Sequence, residues 1–486
     1  MNTYIGMDLG TSGLKMLLVA ADGTILAENT QTYPVSYPNP GWSEQNPEDW
    51  FAAALRGFEQ LLAGQDKSKV RGISFGGQMH GLVALDGSDN VIRPAILWND
   101  GRTEEETQYL NEVIGKEKLS AWTGNIAFAG FTAPKLLWMK KHEIENFAKI
   151  TKIMLPKDYL VYRLSGAFST DFSDASGMLL LDVKNRRWSR EMCDVCGISE
   201  QMLPELHESY EVVGMLKQEI ADKFGLKDVK IIAGAGDNAA AAVGTGVVGE
   251  GGCNISLGTS GTLFVSLASY KEDKVNALHS FCHADGGWHL MGCILSAASC
   301  NSWWVNGILQ STDYKKEEDG LDDFLGKNDV CFLPYLMGER SPHNDVTARG
   351  AFIGMRPDTT RKMMTLAMLE GVTFALRDCL EAAKKNGAVI PRTKLCGGGA
   401  KSKLWRKIVA NVMNLPVDIP QTEQGPGFGA AMLAMVGCGE YISVQQAADA
   451  IVRIKETVLP DPEIAAQYEK RYHHFTKLYP ALKGLF

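Results

Sequence analysis

The sequence predicts an α/β protein made of two related domains that face each other across a cleft. The first reason is size: 486 residues, 45% of them hydrophobic, exceed one ordinary domain and can form two or three cores. The second is a recurring pattern in which an apolar strand ends in glycine and polar residues follow, as at the ligand-binding strand ends of α/β sheets. The third is a duplicated string, Gly-Thr-Ser-Gly, which begins at Gly10 and again at Gly258.

Composition narrows the classes of function. The formal net charge of −8 disfavours a general nucleic-acid binder. The first eight residues lack the basic and apolar regions of a signal peptide, and no run of about 18 apolar residues predicts a membrane span. The ten cysteines are scattered, with Cys193 and Cys196 as the one close pair, which is typical of reduced thiols. We therefore expect a cytoplasmic protein without a nucleic-acid or membrane partner.

The first Gly-Thr-Ser-Gly string lies in a predicted hairpin whose loop runs from Asp8 to Lys15 between two apolar strands. Asp8 could bind Mg²⁺, because magnesium prefers carboxylate oxygen. The groups that could hold a phosphate beside it are the backbone N–H groups and the residues Thr11, Ser12, Gly13 and Lys15. A plain polar hairpin loop is the alternative.

The second string repeats this pattern, with apolar strands on both sides over residues 253–266. It offers a second phosphate-holding loop at Gly258, Thr259 and Ser260. Such a duplication predicts two related halves, which we place at residues 1–245 and 246–486. Chance recurrence of a four-residue string is the alternative.

The stretch from Gly234 to Ala241 follows an apolar run and precedes an alanine-rich one, which predicts a strand, a glycine turn and a helix. This order places the Asp237 carboxylate and the Asn238 amide at a strand end, where glycines let a substrate approach the backbone. A helix cap is the alternative role for Asp237.

Other polar strand ends follow the same design. One contains Met79 and His80, and another contains Lys157 beside Asp158, a candidate polyol contact for which a loop ion pair is the alternative. Glycines 397–399 stand between a short strand and a helix that Ser402 can cap, so a flat ring or a phosphate could lie against the backbone there. Helices are predicted over 131–142 and 361–385, and the tail from about Tyr441 is predicted to be helical.

Several well-known binding motifs are absent or lie in the wrong structural context. The G-x-G-x-x-G match at Gly244 follows a helix instead of a strand, and no phosphate-binding loop of the Walker type is present. His279 and His283 alternate on a predicted strand, which favours packing or a position near substrate over zinc binding.

Taken together, the motifs of this chain resemble those of the FGGY carbohydrate kinases, and the resemblance covers nearly the whole sequence. Within that family, the first-half motifs around His80 and Trp98 are similar to the members that act on D-xylulose, and less so to glycerol or ribulose kinases. The motifs that carry the resemblance are, in order, Asp8-Leu-Gly-Thr-Ser-Gly13, Gln78-Met-His-Gly81, Trp98-Asn-Asp-Gly-Arg102, Gly130-Phe-Thr-Ala-Pro-Lys-Leu-Leu-Trp138, Leu155-Pro-Lys-Asp-Tyr159, Gly236-Asp-Asn-Ala-Ala240, Ser256-Leu-Gly-Thr-Ser-Gly261 and Gly397-Gly-Gly-Ala400.

The resemblance implies an actin-like, hexokinase-like (ribonuclease H-like) fold with a sugar-binding N-terminal domain and a nucleotide-binding C-terminal domain. It also implies that ATP and Mg²⁺ are used and that Asp237 is the general base, with Asp8 organising magnesium and the phosphates. The contacts implied are Met79, His80, Asp237 and Asn238 with the sugar, the hairpins Thr11–Gly13 and Thr259–Gly261 with the phosphates, and Gly398, Gly399 and Ala400 with adenosine.

The expected activity is therefore ATP-dependent phosphorylation of D-xylulose to D-xylulose 5-phosphate, a step of xylose metabolism. Another pentulose or polyol is the alternative substrate. A sugar or nucleotide sensor without turnover, or an actin-like chaperone or filament protein, is the alternative from another class. A homodimer is possible from the sequence but not predicted by it, since exposed helical faces and interfaces look alike in a sequence.

Overall fold

The computed structural model describes residues 1–422 and 424–486, and each half of the chain forms one mixed β-sheet. In the N-terminal sheet the first strands form a hairpin, and Val70–Gly77 lies parallel to the strand Thr3–Leu9. From edge to edge the strands of this sheet are Val212–Met215, Lys230–Ile232, Val70–Gly77, Thr3–Leu9, Gly13–Ala20 and Ile25–Thr32, with Ala235–Gly236 also paired to Val70–Gly77.

The C-terminal sheet repeats this arrangement. Its central strand, Cys253–Leu257, forms a hairpin with Gly261–Leu267 and is parallel to Thr393–Cys396 on its other side. From edge to edge the strands are His279–Cys282, Trp288–Ile294, Gly261–Leu267, Cys253–Leu257, Thr393–Cys396, Val417–Pro420 and Ile454–Val458. The shared central order confirms the predicted two-domain α/β architecture, while the boundary between residues 245 and 246 stays a prediction.

Helices and short strand pairs surround the two sheets. The N-terminal helices are Pro47–Leu61, Glu104–Gln108, Tyr109–Gly115 (a π-helix), Lys116–Thr123, Thr132–His142, Ile144–Phe147, Pro156–Ser165, Phe172–Ala175, Arg190–Cys196, Gln218–Phe224 and Asp237–Gly244. The C-terminal helices are Ala298–Ser302, Trp303–Ile308 (a π-helix), Tyr314–Glu318, Arg361–Lys385, Lys403–Met413, Pro426–Gly437, Val444–Ile451, Pro462–Phe475 and Leu478–Leu482. The short strand pairs are Glu44–Gln45 with Ala95–Ile96, Val83–Leu85 with Lys152–Met154, Ser169–Asp171 with Glu205–His207, Leu181–Asp182 with Arg187–Trp188, and Cys331–Leu333 with Ala351–Ile353.

Local signals placed several of these elements correctly. The predicted helices over 131–142 and 361–385 are confirmed as Thr132–His142 and Arg361–Lys385. Ser402 caps the next helix by accepting a hydrogen bond from the Trp405 amide at 3.0 Å. Gly234 has a φ of +79°, so the turn before Asp237 uses a conformation that favours glycine.

The prediction of an all-helical tail from Tyr441 is wrong at one point. Residues Ile454–Val458 form a strand that pairs antiparallel with Val417–Pro420 at the edge of the sheet. Most of its side chains are exposed, so the charged residues of this edge strand gave no sign of a buried face.

One helix of the C-terminal half, Pro426–Gly437, packs on the N-terminal sheet. It contacts the strands Thr3–Leu9 and Val70–Gly77 and the helix Asp237–Gly244. Glycines permit this contact: a Cβ added to Gly429 would lie 1.8 Å from the Ala240 carbonyl oxygen. The side chains buried together at this contact include Tyr4, Leu17, Ile232, Phe428, Met432 and Leu433.

Within the part of the chain that the structure describes, no helix is both long and apolar enough to cross a membrane. No disulfide joins the cysteines of the same residues, which agrees with the expectation of thiols.

We expect Gly429→Ala to lower stability by about 1–3 kcal/mol, because the added methyl group overpacks the contact between the helices. The measurement is Tm by calorimetry. Gly484→Ala is the control, since a Cβ there meets no atom within 4 Å. Equal Tm values for the two variants would contradict this account of the helix contact.

Candidate active site

The ends of three neighbouring strands bring Asp8 and the Asp237 loop together. In the parallel register Asp8 lies opposite Gly76, and Ala235 lies opposite Gly76 from the other side. Adjacent strands are about 4.8 Å apart, so the two backbones are roughly 10 Å apart across a strand end without side chains. Two carboxylates predicted from separate parts of the sequence thus face one edge of the sheet.

Asp237 is the first residue of its helix. Its Oδ1 accepts hydrogen bonds from the Asn238 backbone N–H at 2.7 Å and from the Asn238 Nδ2 at 2.9 Å. Among the described residues, no group donates to its Oδ2. Burial raises the pKa of Asp237 to about 6, and the bonds from Asn238 oppose that rise. A carboxylate with this pKa is ionised at neutral pH and can accept a proton.

The Asp8 carboxylate accepts no hydrogen bond from the described residues, whereas its backbone is paired with strands on both sides. Burial, and then the charge of Asp237, raise the pKa of Asp8 to about 7, while Lys15 opposes the rise. An unpaired carboxylate in such a place fits an oxygen ligand for Mg²⁺. No group of three or more side chains in the described residues is arranged so that it could hold a metal ion, so phosphate oxygens and water would complete the coordination.

The loop of the first hairpin is tied to the loops that follow the next strands. Its Thr11 hydroxyl accepts a hydrogen bond from the Trp98 indole at 2.9 Å and donates to the Gln78 Oε1 at 3.4 Å. Gln45 Nε2 donates to the Thr11 carbonyl at 2.6 Å. The motifs containing Gln78 and Trp98 were identified in the sequence, but this connection to the hairpin was not predicted.

The other hairpin residues differ in their surroundings. Ser12 is exposed at the tip, and Gly10 N–H closes the turn on the Gly13 carbonyl at 3.0 Å. The Lys15 ammonium donates to Gln424 and lies 3.7 Å from a Glu28 carboxylate oxygen. Binding of a phosphate by Lys15 stays a prediction.

Met79 lies against the Asp237 loop. A Cβ added to Gly236 would lie 3.1 Å from its Cγ, Sδ and Cε atoms, and the Asn238 amide lies 3.9 Å from its sulfur. Met79, which the resemblance implies as a sugar contact, therefore lies next to the Asp237 loop, and the contact itself stays a prediction.

His80 is held as a neutral ring in one tautomer. Its Nδ1 lies 2.7 Å from the Gly177 carbonyl oxygen, which can only accept, so Nδ1 carries the proton. Burial lowers the pKa of His80 to about 3. Nε2 is consequently an acceptor that suits a sugar hydroxyl.

The backbone of His80 adopts a left-handed conformation with φ of +69°, which is uncommon for a residue other than glycine. Two donors hold its carbonyl oxygen: Thr132 Oγ1 at 3.0 Å and the Lys135 ammonium at 2.8 Å. Lys135 is fully buried, and that burial lowers its pKa to about 7. Neither residue was predicted to act at the site, because both act through a backbone carbonyl.

Lys157 lies among carboxylates, as the alternative prediction of an ion pair requires. Its side chain is fully buried, and its ammonium lies 2.7 Å from Asp158, 2.9 Å from Asp171 and 3.7 Å from Asp174. Direct contact of this lysine with a sugar stays a prediction.

The nucleotide residues predicted in the C-terminal half also come together. The Ala298 and Ala297 amides donate to the carbonyls of Gly258 and Thr259 at 2.8 and 3.0 Å. A Cβ on Gly397 would lie 3.0 Å from the Gly258 nitrogen, so the glycine segment packs directly on the second hairpin.

A cavity of about 700 Å³ opens beside this contact, and the buried Ala400 lies next to its glycine wall. The Ser402 hydroxyl donates to Glu318 at 2.7 Å there. Residues of its lining that the sequence did not suggest include Ala298, Asn301, Tyr314, Glu318 and Asp319.

His279 lies at the contact between the two halves as a packed ring. It is buried against Phe128, Phe131 and Phe281, with ring centroids 5.0 to 5.7 Å away. The alternation on the strand predicted either packing or a position near substrate, and the packing is confirmed.

Comparison with known proteins covers the whole molecule. The chain matches the N-terminal domain of the FGGY family of carbohydrate kinases over residues 3–244 and the C-terminal domain over residues 253–438. It is 40% identical to the xylulose kinase of Escherichia coli K12, over 99% of each chain.

Solved structures agree with these matches. The fold superposes with a TM-score of 0.95 on a protein described as a xyloylose kinase from Brucella ovis, at 40% identity over 100% of each chain. It superposes with a TM-score of 0.94 on a gluconate kinase from Lactobacillus acidophilus, at 27% identity over 99% of this chain and 98% of the other. The actin-like fold and the predicted resemblance are thus confirmed, and the chain belongs to the FGGY family of carbohydrate kinases.

Proposed function

We propose that this protein transfers the γ-phosphoryl group of ATP to the terminal hydroxyl of D-xylulose, giving D-xylulose 5-phosphate and ADP. The observation that carries the proposal is the strand register: Asp8 lies opposite Gly76 on one side, and the strand Ala235–Gly236, which ends immediately before Asp237, pairs with Gly76 and Gly77 on the other. One carboxylate can then serve the phosphates while the other serves the sugar hydroxyl. The choice of D-xylulose is supported by the name of the Escherichia coli relative.

In this mechanism Asp237 accepts the proton of the attacking hydroxyl as the phosphoryl group arrives. Met79 and His80 hold the sugar, with His80 Nε2 accepting from one of its hydroxyls. Bound Mg²⁺ would supply charge neutralisation at the phosphates, and Asp8 is the residue that would hold it. The two hairpin loops would orient the phosphates through backbone donors, since phosphoryl transfer depends mainly on position and charge.

The division of labour follows from where the groups lie. We assign sugar binding to residues 1–245 and adenosine binding to residues 246–486, with Gly398, Gly399 and Ala400 beside the 700 Å³ cavity. Closure of the halves would exclude water, which otherwise competes as acceptor. We also infer a cytoplasmic location, because both ATP use and cysteines without disulfides fit that compartment.

A different polyol is the second candidate substrate. The similarity to a gluconate kinase favours it, since nearly the same fold accompanies another acceptor there.

Release of ADP from MgATP, measured across ketoses and polyols with a no-sugar control, tests the proposal. We expect strong release with D-xylulose. Release with another sugar alone would mean that this other sugar is the substrate, and the assignment as a kinase would stand. Absence of any sugar-dependent release would overturn the kinase proposal.

Replacing the base tests the role of Asp237. We expect Asp237→Asn to lower kcat by about 10²–10⁴-fold, with ATP binding retained, because a positioned base contributes that much. In the wild type, kcat/KM for the sugar should fall tenfold per pH unit below about 6, since protonation removes the base. An unchanged kcat in the variant would remove Asp237 from this role.

The Asp8→Asn variant tests the magnesium role. We expect weaker turnover that higher Mg²⁺ partly restores, because a carboxylate ligand is lost. Sugar affinity, followed by calorimetric titration, should stay within twofold of the wild type. Loss of sugar binding with normal magnesium dependence would contradict the assignment.

A further inference from the structure

A buried hydrogen-bond cluster lies beneath the backbone that leads to Asp237. Its centre is Asp171, a fully buried residue that ends the strand Ser169–Asp171. One oxygen, Oδ2, accepts from the Ser173 backbone N–H at 2.8 Å and from the Ser209 hydroxyl at 2.7 Å. The Ser173 hydroxyl donates to the same oxygen. We refer to Asp171, Ser173 and Ser209 as the Asp171 clamp.

Both serines also hold the segment that precedes Asp237. The Gly236 N–H donates to the Ser173 hydroxyl at 3.1 Å. The Gly234 N–H donates to the Ser209 carbonyl at 3.0 Å. Since Gly234 and Gly236 flank Ala235, the clamp holds the backbone at two points within three residues of the proposed base.

The Asp171 carboxylate has a cationic neighbour, which it shares with Asp158 and Asp174. The Lys157 ammonium lies 2.9 Å from Asp171 Oδ1. A Cβ on Gly77 would lie 2.6 Å from the Lys157 Cβ, so the lysine packs directly beneath the central strand. Lys157 thereby connects to the segment before Asp237 through Asp171. A buried carboxylate requires such a partner, because an unpaired charge in the interior is costly.

The Asp237 side chain depends on its backbone for orientation. Its hydrogen bonds within the described residues come from Asn238, the next residue, and from no other element. The position of the carboxylate is therefore fixed by the backbone around Asp237, and part of that backbone is held by the clamp. A displacement of about 1 Å at a catalytic group can lower a rate about 10²-fold.

We propose that Asp171, Ser173 and Ser209 are positioning residues for the Asp237 base. This inference rests on the proposed function, and it extends that function to residues that touch neither substrate nor nucleotide. The clamp sets where the carboxylate stands when the sugar hydroxyl loses its proton. Its loss should therefore affect the chemical step more than the binding of either substrate.

The test is Ser173→Ala in the full chain, with steady-state kinetics measured well below the Tm of every variant. We expect kcat to fall about tenfold, while KM for D-xylulose and for ATP stays within twofold. Ser173→Thr retains the hydroxyl and should restore most of kcat. These results separate positioning from folding, because a purely structural role would not lower kcat in the folded enzyme.

Ser189→Ala is the matched control. Ser189 is also a buried serine of the N-terminal half, but within the described residues its hydroxyl bonds only the start of its own helix: it accepts from the Met192 N–H at 3.3 Å and donates to Glu191 at 3.2 Å. We expect it to lower Tm without changing kcat. An equal kcat for Ser173→Ala and Ser189→Ala would overturn the inference, and so would failure of threonine to restore kcat.

Two further results separate this inference from the proposed function. If Asp237→Asn is inactive and Ser173→Ala keeps its full kcat, the positioning role of the Asp171 clamp is contradicted and the kinase proposal stands. If the wild type releases no ADP with any sugar, both are overturned.

Discussion

The parallel pairing of Val70–Gly77 with strands on both of its sides is the interaction on which the site depends. It aligns Thr3–Leu9 and Ala235–Gly236 so that their ends project from one edge of the sheet. The tip of the central strand is glycine, and a Cβ on Gly76 would lie 2.7 Å from the Pro426 Cβ. The two carboxylates therefore lie at strand ends on either side of this glycine tip, and a helix of the other half packs against the same point.

Burial sets the electrostatics of this edge. It raises the pKa values of Asp8 and Asp237, and the charge of Asp237 adds to the rise at Asp8. The same burial keeps His80 neutral with one defined acceptor. At this edge of the sheet the Asp8 carboxylate thus accepts no hydrogen bond from the described residues, and the His80 ring carries no charge.

Prediction from sequence succeeded where the signal was local. Glycines around Asp237, the two hairpin strings and the glycines before Ser402 each mark a strand end within a few residues. It failed where the partner is distant: Ser173 and Gly236, which share a hydrogen bond, are 63 residues apart in number, and no motif links them. Lys135 and Thr132 donate to the backbone carbonyl of His80, and a contact with a backbone atom cannot be inferred from the identity of the residue that is contacted. The edge strand Ile454–Val458 was not predicted, because it is held by backbone pairing with Val417–Pro420 and has no buried face that an apolar pattern would mark.

The helix Pro426–Gly437 has a consequence for the order in which the molecule can be made. The N-terminal sheet leaves the ribosome first, yet one of its faces is covered by a segment synthesised near the end of the chain. Tyr4, Leu17 and Ile232 therefore stay without their partners until most of translation is complete, so the first domain cannot mature as an independent unit ahead of the second. Expressing the halves as separate polypeptides divides this one core between two molecules.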